Sequence, residues 1–341
     1  MNDNLNLIVE YDDNAKNSSK HHIRNMLDYL VIKFNYKVVS FNEIVENENN
    51  LQNYFYNKYG DFNKIFIIVF ENVLQFLNFN KNFYSSVNLC FIIDDIHHGK
   101  SINNPRSIVF SKCKYLFSTY AYHYERYFKR HMGVCLVPHS LAYRVDFNQN
   151  PIKKILVSGH LNNSIYPNRE KMVILGKTNK YIENFKPNYN GYRISDKDSD
   201  KTYGEKYYKL LNSYLCAVSD DSIIDRRYMI AKFFEIMGCG CLLLAFNSNT
   251  KTIFEELGLI DNIHYISINE NNYESMVNFV SDDENLNTIN KIRKEGYDFV
   301  NNYHHYTNRA IYINKIISGN SKNEYSVDVI TGTQYLKYEI E

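Results

Sequence analysis

The residues with the clearest chemical potential lie in one stretch of the second half, SDDSIIDRRYMIAKFFEIMGCGCLLLAF, which starts at Ser219. Its pattern predicts a strand end, a polar loop, a helix, a glycine turn and a buried strand, with Ser222 or Asp225 capping the helix. The predicted helix start includes Arg226 and Arg227. Because free N–H groups and the dipole at a helix start attract anions, and cations strengthen that attraction, this pattern indicates a phosphate site.

Lys232 and Glu235 follow on the same predicted helix. Lys232 adds a further cation one turn after the basic start. Glu235 lies in the apolar run KFFEIM, where a carboxylate needs a polar partner. A sugar diol is one candidate partner, and a structural salt bridge with Lys232 or Arg227 is the other. Both interpretations stay open on spacing alone.

A second group of reactive side chains closes a strand of the first half, in the run CFIIDDIHHGKS. It places Asp94, Asp95, His97 and His98 at a strand C-terminus. A His or Asp there can act as a general base on a hydroxyl group, or can position a bound sugar. We expect Asp95 and His97 rather than Asp94, because Asp94 is close enough to the strand to bond with backbone. Capping and local hydrogen bonding is the alternative.

Metal-binding patterns are weak. Asp95-Ile96-His97 is a D-x-H string of the kind that metallophosphoesterases have after their first strand, but the later G-D and G-N-H strings of those enzymes are missing. Asp198-Ser199-Asp200 is a D-x-D string in a very polar run, which favours a solvated loop. The six cysteines include no C-x-x-C pair. We therefore expect no metal and no cofactor, and keep a metal-dependent phosphoesterase as a minor alternative.

Composition narrows the class of protein. The chain has 341 residues and a net charge of +1, which argues against a dedicated nucleic-acid binder. Its apolar runs are too short to span a bilayer, and its start shows no secretion signal, so we expect a cytoplasmic protein. The 47 Asn and 31 Tyr residues reflect AT-rich codons, as in a large DNA virus or a low-GC microbe, and say nothing about chemistry.

Short apolar runs alternate with amphipathic stretches along the whole chain, a pattern typical of βα units around a parallel sheet. The predicted strands are Leu5–Glu10, Lys37–Phe41, Lys64–Phe70, Val87–Asp94, Tyr115–Ser118, Val134–Val137, Lys154–Ser158, Met172–Leu175, Tyr214–Ser219, Cys241–Phe246 and His264–Ile268. The predicted helices are Ser18–Lys33, Ala121–His131, Tyr203–Leu211, Asp225–Met237, Thr252–Leu257, Asn272–Val280 and Leu286–Tyr303.

These elements predict an α/β protein with two doubly wound halves. The segment Pro138–Pro151 is rich in proline and asparagine and serves as the predicted hinge. The expected domains are therefore residues 1–146 and 147–317, with residues 318–341 as a polar tail or short hairpin. Two such halves imply a cleft at the carboxyl ends of the strands, which is where open parallel sheets bind ligands. His139, in the hinge, is a candidate cleft residue.

Three ordered segments of the chain resemble a known family. They are KFFEIMGCGCLLL, the pair LVPHSLAYRVDF and KKILVSGHLNNSIYPNRE, and the closing run that begins FEELGLIDNIHYISIN. Together they cover about residues 137–310 and resemble the C-terminal half of GT-B glycosyltransferases, of the group 1 or family-4-like set and its CgeB-like branch. The resemblance implies two Rossmann-like domains that face a cleft, an N-terminal acceptor domain and a C-terminal nucleotide-sugar domain.

The resemblance also implies an activity, the transfer of a sugar from a UDP- or GDP-sugar to a hydroxyl acceptor without a metal. Glu235 would contact the donor ribose, Lys232 and the helix start would hold the diphosphate, and the Gly159-His160 turn would face the donor. Retaining members often have a Glu where this chain has Arg227, which leaves the stereochemistry open and keeps a non-catalytic nucleotide- or sugar-binding relative as the alternative. The full expected donor set is Gly159, His160, Arg169, Arg226, Arg227, Tyr228, Lys232 and Glu235.

The expected partners follow from the same resemblance. They are a nucleotide sugar and a glycan, lipid or protein acceptor, with no nucleic acid. The basic, Tyr-rich stretch Ala121–His131 allows at most a peripheral contact with anionic lipid, and an ordinary surface helix is the favoured interpretation. The acceptor would bind on the first domain near Asp95, His97 and His98.

Overall fold

The structure is a computed structural model that describes residues 4–11, 21–94, 105–119, 133–159, 165–186, 202–221, 229–321, 325–327 and 334–340. The chain divides into two compact units. The first unit comprises the described residues of Met1–Ala15, Asn25–Pro138 and Arg309–Glu339. The second comprises the described residues of Lys16–Arg24, His139–Asn308 and Ile340–Glu341. The main division thus follows Pro138, and a C-terminal segment returns to the first unit.

The strands fall into two sheets, one in each unit. The first sheet contains β1 Leu5–Val9, β2 Lys37–Val39, β3 Ile65–Phe70, β4 Asn88–Ile93, β5 Tyr115–Ser118, β6 Val134–Leu136, β12 Tyr325–Val327 and β13 Gln334–Leu336. The second contains β7 Ile152–Ser158, β8 Ile182–Phe185, β9 Tyr214–Asp220, β10 Leu242–Phe246 and β11 Ile266–Ile268.

Helices connect most of these strands. The α-helices are α1 His21–Phe34, α2 Phe41–Glu46, α3 Leu51–Tyr59, α4 Lys81–Ser86, α5 Pro105–Phe110, α6 Pro167–Leu175, α7 Glu205–Asn212, α8 Ala231–Gly238, α9 Lys251–Glu256, α10 Tyr273–Ser281, α11 Leu286–Tyr303 and α12 Tyr306–Ser318. Short 3₁₀ turns lie at Val73–Phe76 and Asp283–Asn285.

The sheet of the first unit has the order β12-β13-β6-β5-β4-β3-β1-β2. Strands β1 to β6 pair in parallel, and β13 joins them in parallel beside β6. The central strands β3 and β4 are buried along nearly their whole length, as parallel strands covered on both faces must be. The C-terminal segment, predicted as a tail or short hairpin, includes the antiparallel pair β12–β13.

The sheet of the second unit is wholly parallel, with the order β11-β10-β9-β7-β8. Strand β8 lies on one side of β7, whereas β9, β10 and β11 follow on the other. The direction of winding therefore reverses between β7 and β9. At such a switch point the connections leave in opposite directions and open a crevice at the carboxyl ends of the two strands.

An apolar core packs against this second sheet. Its members come from the strands and from the helices that cover one face: Ile155, Val157, Met172, Leu215, Val218, Leu242, Leu244, Phe246, Val277, Ile289 and Ile292. Because these side chains hold β7, β9 and the covering helices in a fixed register, the strand ends at the switch point are set by the core rather than by the loops.

The predicted fold class is confirmed, since the first sheet is parallel apart from β12, the second is wholly parallel, and both are of the doubly wound α/β kind. Ten of the eleven predicted strands are present, all but Tyr115–Ser118 with shifted ends, and one prediction is wrong: Met172–Leu175 lies in helix α6 rather than in a strand. Pro167 occupies the first turn of that helix, and a four-residue apolar run cannot distinguish a buried strand from a helix face. The sequence also missed β8, an edge strand with a polar centre.

Two further expectations concern a surface helix and a membrane-spanning helix. The predicted helix Ala121–His131 lies outside the described residues. Among the helices that the structure describes, none combines the length and the apolar character that a membrane crossing requires.

Candidate functional site

The candidate site lies where β7 ends, at the switch point of the second sheet. Strand β7 closes at Ser158, and Gly159 follows with a φ of 104°. The Lys232 ammonium donates a hydrogen bond to the Ser158 carbonyl, with an Nζ–O distance of 2.7 Å. A Cβ atom on Gly159 would lie 2.3 Å from Lys232 Nζ and 3.2 Å from Nη1 of Arg169. Only glycine leaves room for both cations against this stretch of backbone.

Lys232 reaches that position because it is the second residue of α8. The helix begins at Ala231, after an extended Ile230 that provides no side-chain cap. The predicted start near Ser222 or Asp225 is therefore wrong, and those two residues lie outside the described part of the chain. The buried face of α8 begins only at Phe233, so the apolar period supports a helix from that point and not from the polar residues earlier in the sequence.

Arg169 comes to the same place from another element. It lies in the first turn of α6, its side chain is 2% exposed, and its guanidinium carbon is 4.4 Å from the centre of the Tyr166 ring. A fully buried arginine needs counter-charges or acceptors to offset its desolvation. The start of α6 thus presents a fixed cation next to Gly159 and Lys232.

The start of α6 is itself fixed by Asp220, the last residue of β9. The Asp220 carboxylate accepts hydrogen bonds from the backbone N–H groups of Asn168 at 2.8 Å and Arg169 at 3.0 Å, and from the Asn168 amide at 3.2 Å. Burial raises the pKa of Asp220, and these donors oppose that shift. A strand-end carboxylate therefore caps the neighbouring helix and sets the position of Arg169.

Asp221, the next residue, caps a different helix. Its carboxylate accepts from the Asn249 backbone N–H at 2.8 Å, and from the Thr250 hydroxyl at 3.3 Å, just before α9. Burial and, to a lesser extent, the Asp220 charge raise the pKa of Asp221 to about 7, although the Asn249 N–H opposes the shift. The two carboxylates that follow β9 thus hold helix starts in place.

Glu235 lies one turn after Lys232 on α8 and is partly exposed. Burial raises the pKa of Glu235, whereas the Lys232 ammonium and a hydrogen bond from the Tyr208 hydroxyl lower it. Burial lowers the pKa of Lys232, the Arg169 charge lowers it further, and the Glu235 charge raises it. The pair therefore compensates its own charges only in part, and a bound dianion would stabilise the protonated lysine.

Two tyrosines of α7 complete the surroundings, and sequence reasoning missed both. The Tyr207 hydroxyl lies 2.8 Å from Oγ of Ser158, and its ring centre is 5.7 Å from Lys232 Nζ. The Tyr208 oxygen accepts from the Ala142 backbone N–H at 3.0 Å. The available signal was the Tyr-Tyr pair on a predicted amphipathic helix, which the high tyrosine content of the chain obscured.

The structure thus brings together four residues of the expected donor set, namely Gly159, Arg169, Lys232 and Glu235. The candidate cleft residue His139 is 5% exposed, and its Nδ1 atom lies 3.1 Å from Nε2 of His22. The other expected site residues lie outside the described part of the chain: Asp95, His97, His98, His160, Arg226, Arg227 and Tyr228.

Asp94, the one described member of the first-half group, is buried at the end of β4. The Thr119 hydroxyl donates to its backbone carbonyl at 2.5 Å, and lies 3.4 Å from its carboxylate. Asp94 therefore joins the ends of β4 and β5, the local role that its place next to the strand suggested.

Comparisons with known proteins give matches at the level of structure only. No family model matches the sequence, and no curated protein matches it either. A glycosyltransferase from Rickettsia africae matches with a TM-score of 0.53 and 13% identity, over 95% of this chain and 100% of that one. Anabaena Alr3699/HepE in complex with UDP-glucose matches with a TM-score of 0.56 and 8% identity, over 94% of this chain and 100% of that one.

A third structure, the apo form of the lipopolysaccharide outer core galactosyltransferase WaaB, matches with a TM-score of 0.51 and 8% identity, over 93% of this chain and 99% of that one. At such identities a structural likeness is evidence of fold rather than of chemistry. The agreement extends over nearly the full length of every one of these chains. The chain therefore has the GT-B glycosyltransferase fold that its motifs predicted, while its place in the CgeB-like branch stays a prediction.

Proposed function

We propose that this protein is a glycosyltransferase that moves a sugar from a UDP- or GDP-sugar to a hydroxyl group of a glycan, lipid or protein acceptor. The observation that supports this most is the convergence of Lys232 and Arg169 on Gly159 at the switch point, with Glu235 one turn further along α8. Two cations and one carboxylate at this spacing match the two ends of a nucleoside diphosphate, its phosphates and its ribose.

The cations account for the chemical step. When the bond between sugar and diphosphate breaks, negative charge develops on the departing phosphate. A lysine and an arginine that are already in place stabilise this charge without reorganisation, which is the largest contribution expected in such a reaction. Lys232 uses one of its three donors on Ser158, which fixes the ammonium and leaves further donors for phosphate oxygens.

Glu235 is the proposed contact for the nucleoside. A carboxylate accepts hydrogen bonds from two vicinal hydroxyls at once, so it suits a ribose diol. The helix rise places Glu235 about 4.5 Å along the axis from Lys232, which is comparable to the step from a phosphate to its ribose. HepE, which shares this fold, was crystallised with UDP-glucose, and this supports a nucleotide-sugar donor here.

The remaining parts of the proposal concern residues and partners beyond this site. We propose that His160, Arg226, Arg227 and Tyr228 complete the donor site, and that Asp95, His97 and His98 act on the acceptor. We also propose a metal-independent reaction, because two protein cations are available for the diphosphate. Turnover that EDTA abolishes would contradict this and would revive a metal-dependent enzyme.

The sharpest test of the donor site is Glu235→Ala, assayed by calorimetry with UDP- and GDP-sugars. Loss of the ribose acceptor should weaken binding about tenfold or more, because hydrogen bonds to charged groups contribute about 1.5–3 kcal/mol. The melting temperature should change little, since Glu235 is partly exposed. Unaltered binding would remove the ribose assignment.

A matched control is Glu183→Ala in β8. Glu183 also pairs with a lysine and a tyrosine, with Lys154 at 2.9 Å and Tyr214 at 2.6 Å, but it contacts none of the proposed site residues in the described structure. Its loss should leave nucleotide binding unchanged. Donor hydrolysis across a panel of nucleotide sugars then separates an enzyme from a non-catalytic binding relative, which would bind without turnover.

A further inference from the structure

The adjacent tyrosines of α7 contact opposite ends of the Lys232–Glu235 pair. Successive residues on a helix point about 100° apart, so neighbours rarely serve one site. Here α7 packs beside α8, and the centre of the Tyr207 ring lies 5.7 Å from Lys232 Nζ. Tyr207 faces the lysine end and Tyr208 faces the glutamate end.

Tyr207 fixes the lysine in two ways. Its hydroxyl bonds Oγ of Ser158 at 2.8 Å, while Lys232 donates to the carbonyl of the same Ser158. Its ring also lies 5.7 Å from the ammonium, close enough for a cation–π attraction. The lysine is therefore held between a strand end and an aromatic ring, which restricts a side chain that otherwise has four rotatable bonds.

Tyr208 fixes the glutamate through the direction of its proton. A phenol has one O–H donor, and its oxygen here already accepts from the Ala142 backbone N–H at 3.0 Å. The O–H proton must then point away from Ala142, and a hydrogen bond from this hydroxyl lowers the pKa of the Glu235 carboxyl. The Tyr208 side chain is 3% exposed, and the Tyr143 ring packs against it edge-on at 5.1 Å between centroids. The donor is therefore preorganised.

We propose that Tyr207 and Tyr208 are positioning residues of the donor site, Tyr207 for the cation that binds the diphosphate and Tyr208 for the carboxylate that binds the ribose. This inference rests on the proposed function. It adds that the two ends of the site are supported separately, so that each can be weakened without the other.

The charged and titratable groups around the pair give the expected direction of a pH effect. Glu235 is faced by Lys232 and Cys239 from α8 and by both tyrosines from α7, and Lys232 is faced by Arg169 from α6. Ribose binding needs the ionised carboxylate, so affinity falls as the pH drops through the pKa of Glu235. Removing the Tyr208 donor raises that pKa and moves the loss of affinity to higher pH.

The experiment is calorimetry of UDP and of inorganic pyrophosphate, across a range of pH, with wild type, Tyr208→Phe and Tyr207→Leu. Tyr208→Phe should weaken UDP binding about fivefold, the worth of one hydrogen bond, while pyrophosphate affinity is kept. In this variant, the loss of UDP affinity at acidic pH should begin at a higher pH than in wild type. Tyr207→Leu should weaken UDP and pyrophosphate equally, and Tyr207→Phe, which keeps the ring, should restore most of the affinity.

Tyr214→Phe is the control, because Tyr214 also donates to a glutamate, Glu183, at 2.6 Å in the same unit. It should change neither ligand. If Tyr208→Phe weakens both ligands equally, or neither, Tyr208 has no separate positioning role and the inference fails. The inference also fails if Tyr207→Leu affects neither ligand. If wild type binds neither UDP nor GDP, the proposed function fails first, and the inference with it.

If Tyr208→Phe does not fold, a second measurement tests the same role. Replacing Tyr208 by 3-fluorotyrosine keeps the size and the hydroxyl, and makes the phenol a stronger donor. The acidic limb of UDP binding should then move to lower pH. An unmoved limb would contradict the role of Tyr208 as much as an unaffected Phe variant would.

Discussion

Two groups of charged residues lie near the same edge of the second sheet, and they do different things. Asp220 ends β9 and Asp221 follows it, and their carboxylates accept hydrogen bonds from the starts of α6 and α9. Lys232 and Glu235 lie on α8, are partly exposed, and have hydrogen-bonding capacity left. Both groups occupy the place where a parallel sheet binds ligands, so location alone does not separate scaffold from site.

The difference lies in how many of the polar atoms are already used. Each aspartate receives at least three hydrogen bonds from the chain itself, most of them from backbone N–H groups or side chains of one neighbouring segment. A carboxylate in that state stabilises a helix start and has little to offer a ligand. The number of unused donors and acceptors therefore separates site residues from scaffold residues better than the charge of a strand-end residue does.

The largest expected effect is on stability, from Asp220→Ala. The variant leaves two N–H groups at the start of α6 without an acceptor, one buried and one partly buried, so the free energy of unfolding should fall by about 2–4 kcal/mol. Urea denaturation measures it. Asp283→Ala is the control, because Asp283 is an exposed partner of Lys153 and its loss should change little. A stable Asp220→Ala protein with poor nucleotide affinity would move Asp220 from the scaffold to the site.

The next effect is on binding, from Gly159→Ala. The new methyl group would meet Lys232 Nζ at 2.3 Å, and the flexible ammonium would move away from the Ser158 carbonyl. UDP affinity should fall by about thirtyfold, which corresponds to roughly 2 kcal/mol. Gly60→Ala is a matched control, since Gly60 has a φ of 85° and nothing within 4 Å of its added methyl. That variant should show the backbone strain without the loss of affinity.

The effect that is smallest within any one pH unit is a pH dependence of stability that comes from Asp221. Its folded-state pKa of about 7 lies above the ordinary value of 3.8, so between these limits the folded state holds a proton that the unfolded state has released. The free energy of unfolding should therefore fall as the pH rises from about 4 to 7, by on the order of 1 kcal/mol per pH unit at most, and level off above.

Asp221→Asn removes that group and should flatten the slope, which chemical denaturation at several pH values will measure. Glu235→Gln should remove a separate part of the slope, because burial also raises the pKa of Glu235 above its ordinary value. Equal slopes in wild type and Asp221→Asn would mean that Asp221 is ionised throughout, and the contrast between the two groups would then be weaker than the geometry indicates.

Much of the fold could be predicted from the sequence, because buried parallel strands are continuous apolar runs. Ile65–Phe70 and Leu242–Phe246 are examples, and their strands were found within a residue. The error at Met172–Leu175 has a local cause, since Pro167 and the Asp220 cap start a helix that the apolar run by itself does not reveal. The missed strand β8 pairs only with β7 and is half polar, so its sequence resembles a loop.

The sequence by itself determined the two α/β sheets, and it singled out Gly159, Arg169, Lys232 and Glu235 through residue types and family-like spacing. Only the tertiary structure decided that these four meet, that α8 starts at Ala231, that Asp220 and Asp221 are caps, and that Tyr207 bonds Ser158 beside them. The physical reason is that a hydrogen bond depends on distance and direction in space. The partners come from β7, α6, α7 and α8, and the packed core under the sheet, not the local sequence, sets where those elements end.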